Sequence, residues 1–386
     1  MKEILFFYTK SICYNSMYAF VNSMVKTLRE MGHYCETCTA TRPKDLEIYF
    51  GRHFDAMVDI DSTLPLMKND DGEYCLDKID APFYNYLLDH PLYYHTALSS
   101  KIKRQHVLCI DENHVSYVEK YYDNIQSATF LPLGMMGYEE QLILPLEERE
   151  MPLLFTGTYT SEKTFYSRLG KYPQNVEQEI VDIILSMVQN PEMTLEKTMT
   201  SYIMEKGLKD PGEKMAELCN RYYLADMGAA ASIRAKVIRI LLGAGIPVTV
   251  CGHGWNKLHC KGEEHLKIIP EKNYMEAVEL AYRTKILLNV MPGFKAGIHD
   301  RIPTAMGHGA VSCTDGTQYL DEILVNGKNY LKYDIKNLKE LPDIIRENLD
   351  NQKHLQEIAD EGHRIAKELF TWKKRMEEWT QSLPSS

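Results

Sequence analysis

The richest chemistry in the chain lies in Met291-Pro292-Gly293-Phe294-Lys295-Ala296-Gly297-Ile298-His299-Asp300-Arg301-Ile302-Pro303-Thr304-Ala305-Met306-Gly307-His308-Gly309, directly after the strand-like run Ile286 to Val290. Asp300 has the residue type of a helix cap, and a first helical turn tolerates Pro303. The preceding loop supplies Gly293, Gly297, Lys295 and His299, and Arg301 stands at the helix start. Free N–H groups there, with Arg301 or Lys295 beside them, would attract an anion and stabilise a departing diphosphate without any metal. The same spacing also fits a capped surface helix with charged flanks.

In open α/β sheets ligands bind outside the carboxyl ends of the strands, so polar residues at those ends are the further candidates. Pro247 to Cys251 ends at Gly252-His253-Gly254-Trp255, where two glycines permit a tight turn or close approach to a ligand beside an aromatic face. A bare turn is the alternative. Ala310 to Cys313 ends at Thr314-Asp315-Gly316. In the first half, Tyr86-Leu87-Leu88 ends at Asp89-His90-Pro91, followed by Tyr93, Tyr94 and His95, and Val107 to Ile110 ends at Asp111-Glu112-Asn113-His114. The proline fixes the direction of Asp89 and His90, and the tyrosines beside them could stack on a ligand. A capping aspartate and a surface histidine would look the same.

Three groups invite a metal reading and are set aside. Asp59-Ile60-Asp61 is a short Asp-x-Asp at a strand end, a common chance pattern. Cys35 and Cys38 lack a second pair at zinc spacing, and Cys251, His253, His259 and Cys260 are equally weak. No metal or other cofactor is expected.

The elements that must position these residues alternate short apolar runs with helical patterns, the order of parallel sheets with helices on both faces. The first set comprises Ile4 to Thr9, Tyr34 to Thr39, Ala56 to Asp61, Phe83 to Leu88, Val107 to Ile110 and Thr129 to Leu133. The second comprises Leu153 to Gly157, Pro247 to Cys251, Lys267 to Ile269, Ile286 to Val290, Ala310 to Cys313 and Tyr330 to Lys332. Between about 161 and 221 the chain lacks strands and reads as amphipathic helices, for example Val176 to Met187 and Thr194 to Met204. The Glu-rich stretch Gln141 to Pro152 reads as a linker, with the boundary near Arg149.

At 386 residues the chain is long enough for two or three domains, and 44% hydrophobic with 25% charged residues excludes a disordered or disulfide-scaffold class. The net charge of −10 disfavours nucleic acid as a partner. Nine scattered cysteines read as reduced thiols, and no apolar run reaches the roughly 18 residues of a membrane span or forms a signal peptide. A cytoplasmic protein is expected.

The residues Gly252-His253-Gly254-Trp255, His299-Asp300-Arg301, Ala305-Met306-Gly307-His308-Gly309-Ala310-Val311 and Asp315, closing on Thr371-Trp372-Lys373 and Arg375, resemble the nucleotide-sugar half of GT-B glycosyltransferases, most nearly the spore-maturation CgeB-like family. The resemblance covers about Pro247 to Arg375 and, more weakly, Met1 to Gly134. It implies an α/β fold of GT-B type: two Rossmann-like domains facing across a cleft, the first at 1–149 on the acceptor side, the second at 150–368 holding the donor. The helical insertion at about 161–221 lies in the second, and a C-terminal helix at about 369–386, with Leu369 to Trp379 as its visible part, crosses back to the first.

By that resemblance Gly252, His253, Gly254, Trp255, Lys295, His299, Asp300, Arg301, Gly307, Gly309, Asp315 and Gly316 bind a nucleotide-sugar, UDP-sugar favoured, and Asp89 or His90 is the base. The acceptor is then a hydroxyl on a protein or cell-surface glycan. Many retaining enzymes of the fold carry glutamates where this chain has Ala296 and Thr304, so inversion is favoured. A nucleotide-sugar 2-epimerase, or a non-catalytic sugar- or nucleotide-binding assembly protein, are the other readings. A dinucleotide-dependent oxidoreductase is disfavoured by the lack of a G-x-G-x-x-G turn.

Overall fold

The computed structural model describes residues 1–9 and 13–383. The twelve expected strands all form, in two six-stranded sheets whose neighbours are all parallel. The first sheet contains β1 (Glu3–Tyr8), β2 (Tyr34–Thr39), β3 (Ala56–Ile60), β4 (Phe83–Leu87), β5 (Gln105–Cys109) and β6 (Ser127–Phe130), in the order β2-β1-β3-β4-β5-β6. Every residue of β3 and β4 is buried, as expected of strands covered on both faces, whereas edge strand β2 is buried only at Cys35 and Cys38.

The second sheet contains β7 (Met151–Thr156), β8 (Val248–Cys251), β9 (Leu266–Ile269), β10 (Thr284–Leu288), β11 (Val311–Thr314) and β12 (Leu331–Lys332), in the order β12-β11-β10-β7-β8-β9. Its largest core joins Leu153 and Phe155 of β7, Val248 and Val250 of β8 and Ile286 and Leu288 of β10 to Ile238, Leu241 and Leu242 of the helix Tyr223–Gly243. Between β7 and that long helix lie four helices, Glu162–Leu169, Gln174–Gln189, Leu195–Glu205 and Met215–Arg221, which fill the stretch expected to be a helical insertion. None of the helices among the described residues is long and apolar enough to cross a membrane.

The chain divides into two compact units, one made of residues 1–136, 296–298 and 369–386, the other of 137–295 and 299–368. Residues 137–149, read from sequence with the first domain, pack in the second unit. Arg149 explains why: its guanidinium donates to the carbonyls of Leu144, Ala281, Thr284 and His308, all in that unit. Tyr282 likewise donates to the Gly137 carbonyl at 2.9 Å.

The C-terminal helix runs Trp372–Ser382, starting three residues later than the sequence suggests because Thr371 caps it, accepting from the Lys374 N–H at 3.2 Å. Leu369 instead ends the helix Gln352–Leu369. Trp379 meets the Tyr84 ring edge-on at 5.7 Å and Trp372 lies 6.2 Å from Phe20, so this helix completes the first unit. Residues 384–386 of the expected segment lie outside the described residues.

Candidate active site

Arg301 is the centre of the side-chain cluster at the carboxyl ends of β7 and β10. Its Nη1 donates to Asn289 Oδ1 at 3.0 Å and its Nε to Thr156 Oγ1 at 3.3 Å, while the guanidinium lies 5.3 Å from the centre of the Phe155 ring. Nη1 also lies 3.3 Å from His299 Nε2. His299 Nδ1 in turn faces Asp300 Oδ1, and the other Asp300 oxygen accepts from the Tyr274 hydroxyl at 2.8 Å. The Arg301 backbone N–H also lies 3.3 Å from His299 Nδ1, so the imidazole sits between the Asp300 carboxylate and Arg301.

Burial and the Arg301 charge both push the His299 pKa below its ordinary value, against the pull of Asp300. Burial alone would raise Asp300, but His299, Arg301 and the Tyr274 hydrogen bond overcome it and hold the carboxyl below the usual range. Arg234 also acts on His299 as a nearby positive charge. Arg301 and Arg234 both bring positive charge to His299, the sign an anionic ligand requires.

Asp300 does not cap the helix that follows. Its φ of −54° and ψ of −26° are already helical, and its carboxylate is drawn to His299 and Tyr274 instead of the helix N–H groups. The helix, Arg301–Gly307, is only seven residues long. The Ile302 and Thr304 N–H groups already donate to the His299 and Asp300 carbonyls, and Pro303 has none. Anion attraction here therefore rests on side chains, not on free helix N–H groups.

Lys295, Asp315 and Gly316 meet in a cavity of about 620 Å³ within the second unit, together with Phe294, Lys332 and Tyr333. Asp315 accepts from the Met291 N–H at 3.1 Å, and burial, opposed by that bond and by Lys295, raises its pKa to about 6. The cavity wall connects to Arg301 by hydrogen bonds: Asn289 donates to Thr314 at 2.9 Å, Thr314 to Asp315 at 3.3 Å, and Tyr333 to the Asn289 carbonyl at 2.8 Å.

The Gly252-His253-Gly254-Trp255 turn is shaped by packing. A Cβ on Gly252 would stand 2.3 Å from the Gly157 carbonyl oxygen, and one on Gly254 2.2 Å from that of Tyr159. Trp255, 1% exposed, donates to the Gly157 carbonyl at 2.7 Å and stacks on Tyr159. His253 is exposed and lies 3.3 Å from Glu271. Gly307 and Gly309 sit at the other end of the helix from Arg301. There Gly309, at φ +67°, ends the helix in the left-handed conformation and would meet the Arg149 guanidinium if it carried a Cβ.

In the first unit Asp89 is exposed and follows β4. His90 caps the short turn Pro91–Tyr94, its Nδ1 accepting from the Leu92 N–H at 3.1 Å. Burial, with His114 beside it, holds His90 well below its ordinary pKa. The neutral ring that caps with Nδ1 carries its proton on Nε2, so its basic nitrogen is already engaged. Asp59 and Asp61 are fully buried and accept from the Ile60 and Leu88 N–H groups, respectively. Among the described residues no group of three or more histidine, cysteine, aspartate or glutamate side chains is arranged to hold a metal ion.

Sequence reasoning missed Thr156, Asn289, Tyr274 and Arg234. Thr156 and Asn289 fall in the expected strand ends and were open to the same carboxyl-end rule. Arg234 lies inside a long helix and Tyr274 is 26 residues from its partner Asp300, so no local pattern marks either.

Residues 234–381 match a family model described as glycosyl transferase-like. No curated protein matches the sequence. Among solved structures, sucrose-phosphate synthase of Thermosynechococcus elongatus aligns over 99% of this chain and 98% of its own at 10% identity, with a TM-score of 0.54. HepE of Anabaena, in complex with UDP and glucose, aligns over 99% of both chains at 11% identity and 0.54. A mutant of BGT from T4 phage, in complex with UDP-glucose, aligns over 100% of both chains at 12% identity and 0.57. The chain thus has the GT-B fold, and residues 234–381 are similar to a glycosyl transferase-like family.

Proposed function

We propose that the protein transfers a sugar from a nucleoside-diphosphate sugar, UDP-sugar favoured, to an acceptor hydroxyl, with inversion at the anomeric carbon and without a metal. The observation that carries this reading is Arg301, held by Thr156, Asn289 and His299 at the carboxyl ends of β7 and β10 and joined by hydrogen bonds to the cavity at Lys295, Asp315 and Gly316. The UDP and UDP-glucose complexes of proteins with this fold support it.

In this reading the bond between the anomeric carbon and the diphosphate oxygen breaks as the acceptor oxygen bonds to that carbon. Arg301, with Arg234, stabilises the departing diphosphate. The acceptor proton passes to a base on the acceptor side, for which Asp89 is preferred over His90, since the latter's Nδ1 is engaged as a cap. The acceptor is a protein or a cell-surface glycan, and the CgeB-like enzymes are the proposed relatives. Among the described residues eight cysteines form no disulfide, which supports action in a reducing compartment such as the cytoplasm.

The test is thermal unfolding with UDP, GDP, dTDP, CMP and NAD, with and without EDTA, in the wild type and Arg301→Ala. A ligand at 100 times its Kd stabilises the folded chain by about 2.7 kcal/mol. The expected outcome is a rise with UDP that survives EDTA and is lost in Arg301→Ala. A rise with NAD alone, or with none of the five, overturns the reading. Conversion of the donor without any acceptor would point instead to an epimerase.

A further inference from the structure

Three neighbouring strands of the second sheet, β7, β10 and β11, end side by side. Leu288 pairs with Phe155 of β7 on one side and with Cys313 of β11 on the other, so the next residue, Asn289, stands between Thr156 and Thr314. Its backbone is held twice: the Asn289 N–H donates to the Cys313 carbonyl at 2.7 Å, and the Asn289 carbonyl accepts from the Tyr333 hydroxyl at 2.8 Å. The residue is 1% exposed, and its amide lies between Arg301 and Thr314. All of these residues belong to the second unit.

The partners decide which end of the amide faces which way. A guanidinium only donates, so Arg301 Nη1 meets the amide oxygen, at 3.0 Å. That turns the NH2 group to Thr314, whose oxygen accepts at 2.9 Å while its own proton goes to Asp315 Oδ1 at 3.3 Å. From Arg301 to Asp315 the hydrogen bonds all run in one direction, and Asn289 both accepts and passes on. An aspartate at this position could accept but not donate onwards, and a leucine of similar size could do neither. The contacts of Arg301 to Thr156 Oγ1 and His299 Nε2 are longer, both 3.3 Å, and a hydroxyl or an imidazole nitrogen can donate as well as accept. The amide oxygen of Asn289 can only accept, so it constrains the guanidinium more tightly than they do.

Resting on the proposed donor site, we infer that Asn289 and Thr314 are positioning residues that hold Arg301 in the orientation in which it meets the diphosphate of the nucleotide-sugar. Both are buried and act without touching the ligand. A guanidinium set in advance loses little side-chain freedom when the diphosphate arrives, whereas a loose one must first be ordered, which weakens binding. Because both residues act through the planar fork of Arg301, their effect depends on that fork being present.

The test is a double-mutant cycle. UDP affinity is measured by calorimetry in the wild type, Asn289→Leu, Thr314→Val, Arg301→Ala and Arg301→Lys, and in each of the first two variants combined with Arg301→Lys. Lysine keeps the charge but presents a point cation with no fork to orient. Rotation of the Arg301 guanidinium without nucleotide is read by nitrogen NMR. The expected result for Asn289→Leu is faster rotation and a UDP Kd raised on the order of tenfold. Thr314→Val keeps the shape of its residue and breaks the row one step further from Arg301, so it should move both quantities the same way by less. In the Arg301→Lys background either substitution should change the UDP Kd far less than it does beside arginine. A general loosening of the second unit would instead weaken binding equally in both backgrounds.

Rotation as slow in both variants as in the wild type would overturn the positioning role whatever the ligand proves to be. If Arg301→Ala loses UDP while Asn289→Leu and Thr314→Val bind it as tightly as the wild type, or weaken it equally beside lysine and arginine, the positioning role is wrong and the donor site stands. If the wild type binds no UDP, the donor reading fails and takes the positioning role with it.

Discussion

Asp315 forms part of the cavity wall in a form that depends on pH. Burial raises its pKa to about 6, against the Met291 N–H and Lys295, whereas an aspartate in an unfolded chain titrates near 4. Between about pH 4 and pH 6 the folded chain keeps a proton that the unfolded chain has released. Its stabilising contribution is thus complete below about pH 4 and lost as pH rises through 6. Asp315→Asn keeps an oxygen for Met291 and removes the charge. Urea unfolding should find it more stable than wild type at pH 7.5, by at most about 3 kcal/mol, and nearly equal at pH 4. In the proposed transfer, Arg301→Ala should lower turnover by roughly 10²- to 10³-fold, read from initial rates at saturating donor, because it removes a preorganised charge from the departing diphosphate. Arg301 was legible from sequence because charge, glycines and a strand end coincide within a few residues. Arg234 and Tyr274 were not, because only the folded chain brings them to His299 and Asp300.

At the scale of elements, the loops after β7 and β8 lock together through backbone. The Gly157 N–H donates to the Cys251 carbonyl and the Tyr159 N–H to that of His253, both at 2.9 Å. Gly254, at φ +87°, has no room for a side chain between them. Gly254→Ala should cost about 1–3 kcal/mol from backbone strain alone, with the close contact to Tyr159 adding to it, and denaturant unfolding will measure the loss. A pair of glycines beside a tryptophan looks the same in sequence whether a ligand or another loop approaches it. The strands were legible because parallel-sheet interiors demand continuous apolar runs bounded by turns. The start of the C-terminal helix was less so: Leu369 continues an apolar pattern that belongs to the preceding helix, and Thr371 resets it.

For the molecule as a whole, the C-terminal helix is core material of the first unit. Trp379 is 2% exposed and packs on Tyr84, and Met376 is fully buried. Trp379→Ala should cost about 3–5 kcal/mol, with hydrogen exchange accelerating in the strands of the first sheet. The broad division into two halves was visible as two sets of alternating strands and helices. Assignment of 137–149 to the second unit was not, since it depends on where Arg149 finds its carbonyl partners. Likewise, nothing local marks 296–298 as part of the first unit, because Gly297 pairs with Asp111, nearly two hundred positions earlier.

The discontinuity of the first unit sets an order for its birth on the ribosome. Its six strands are complete once residue 130 is made, yet Trp372, Met376 and Trp379 are synthesised more than two hundred residues later. Until then the surfaces of Phe20 and Tyr84 that these residues cover lack their partners. The sheet made second thus has all its strands before the first unit can close, and the half made first waits longest with apolar surface uncovered, the interval in which a chaperone has most to hold.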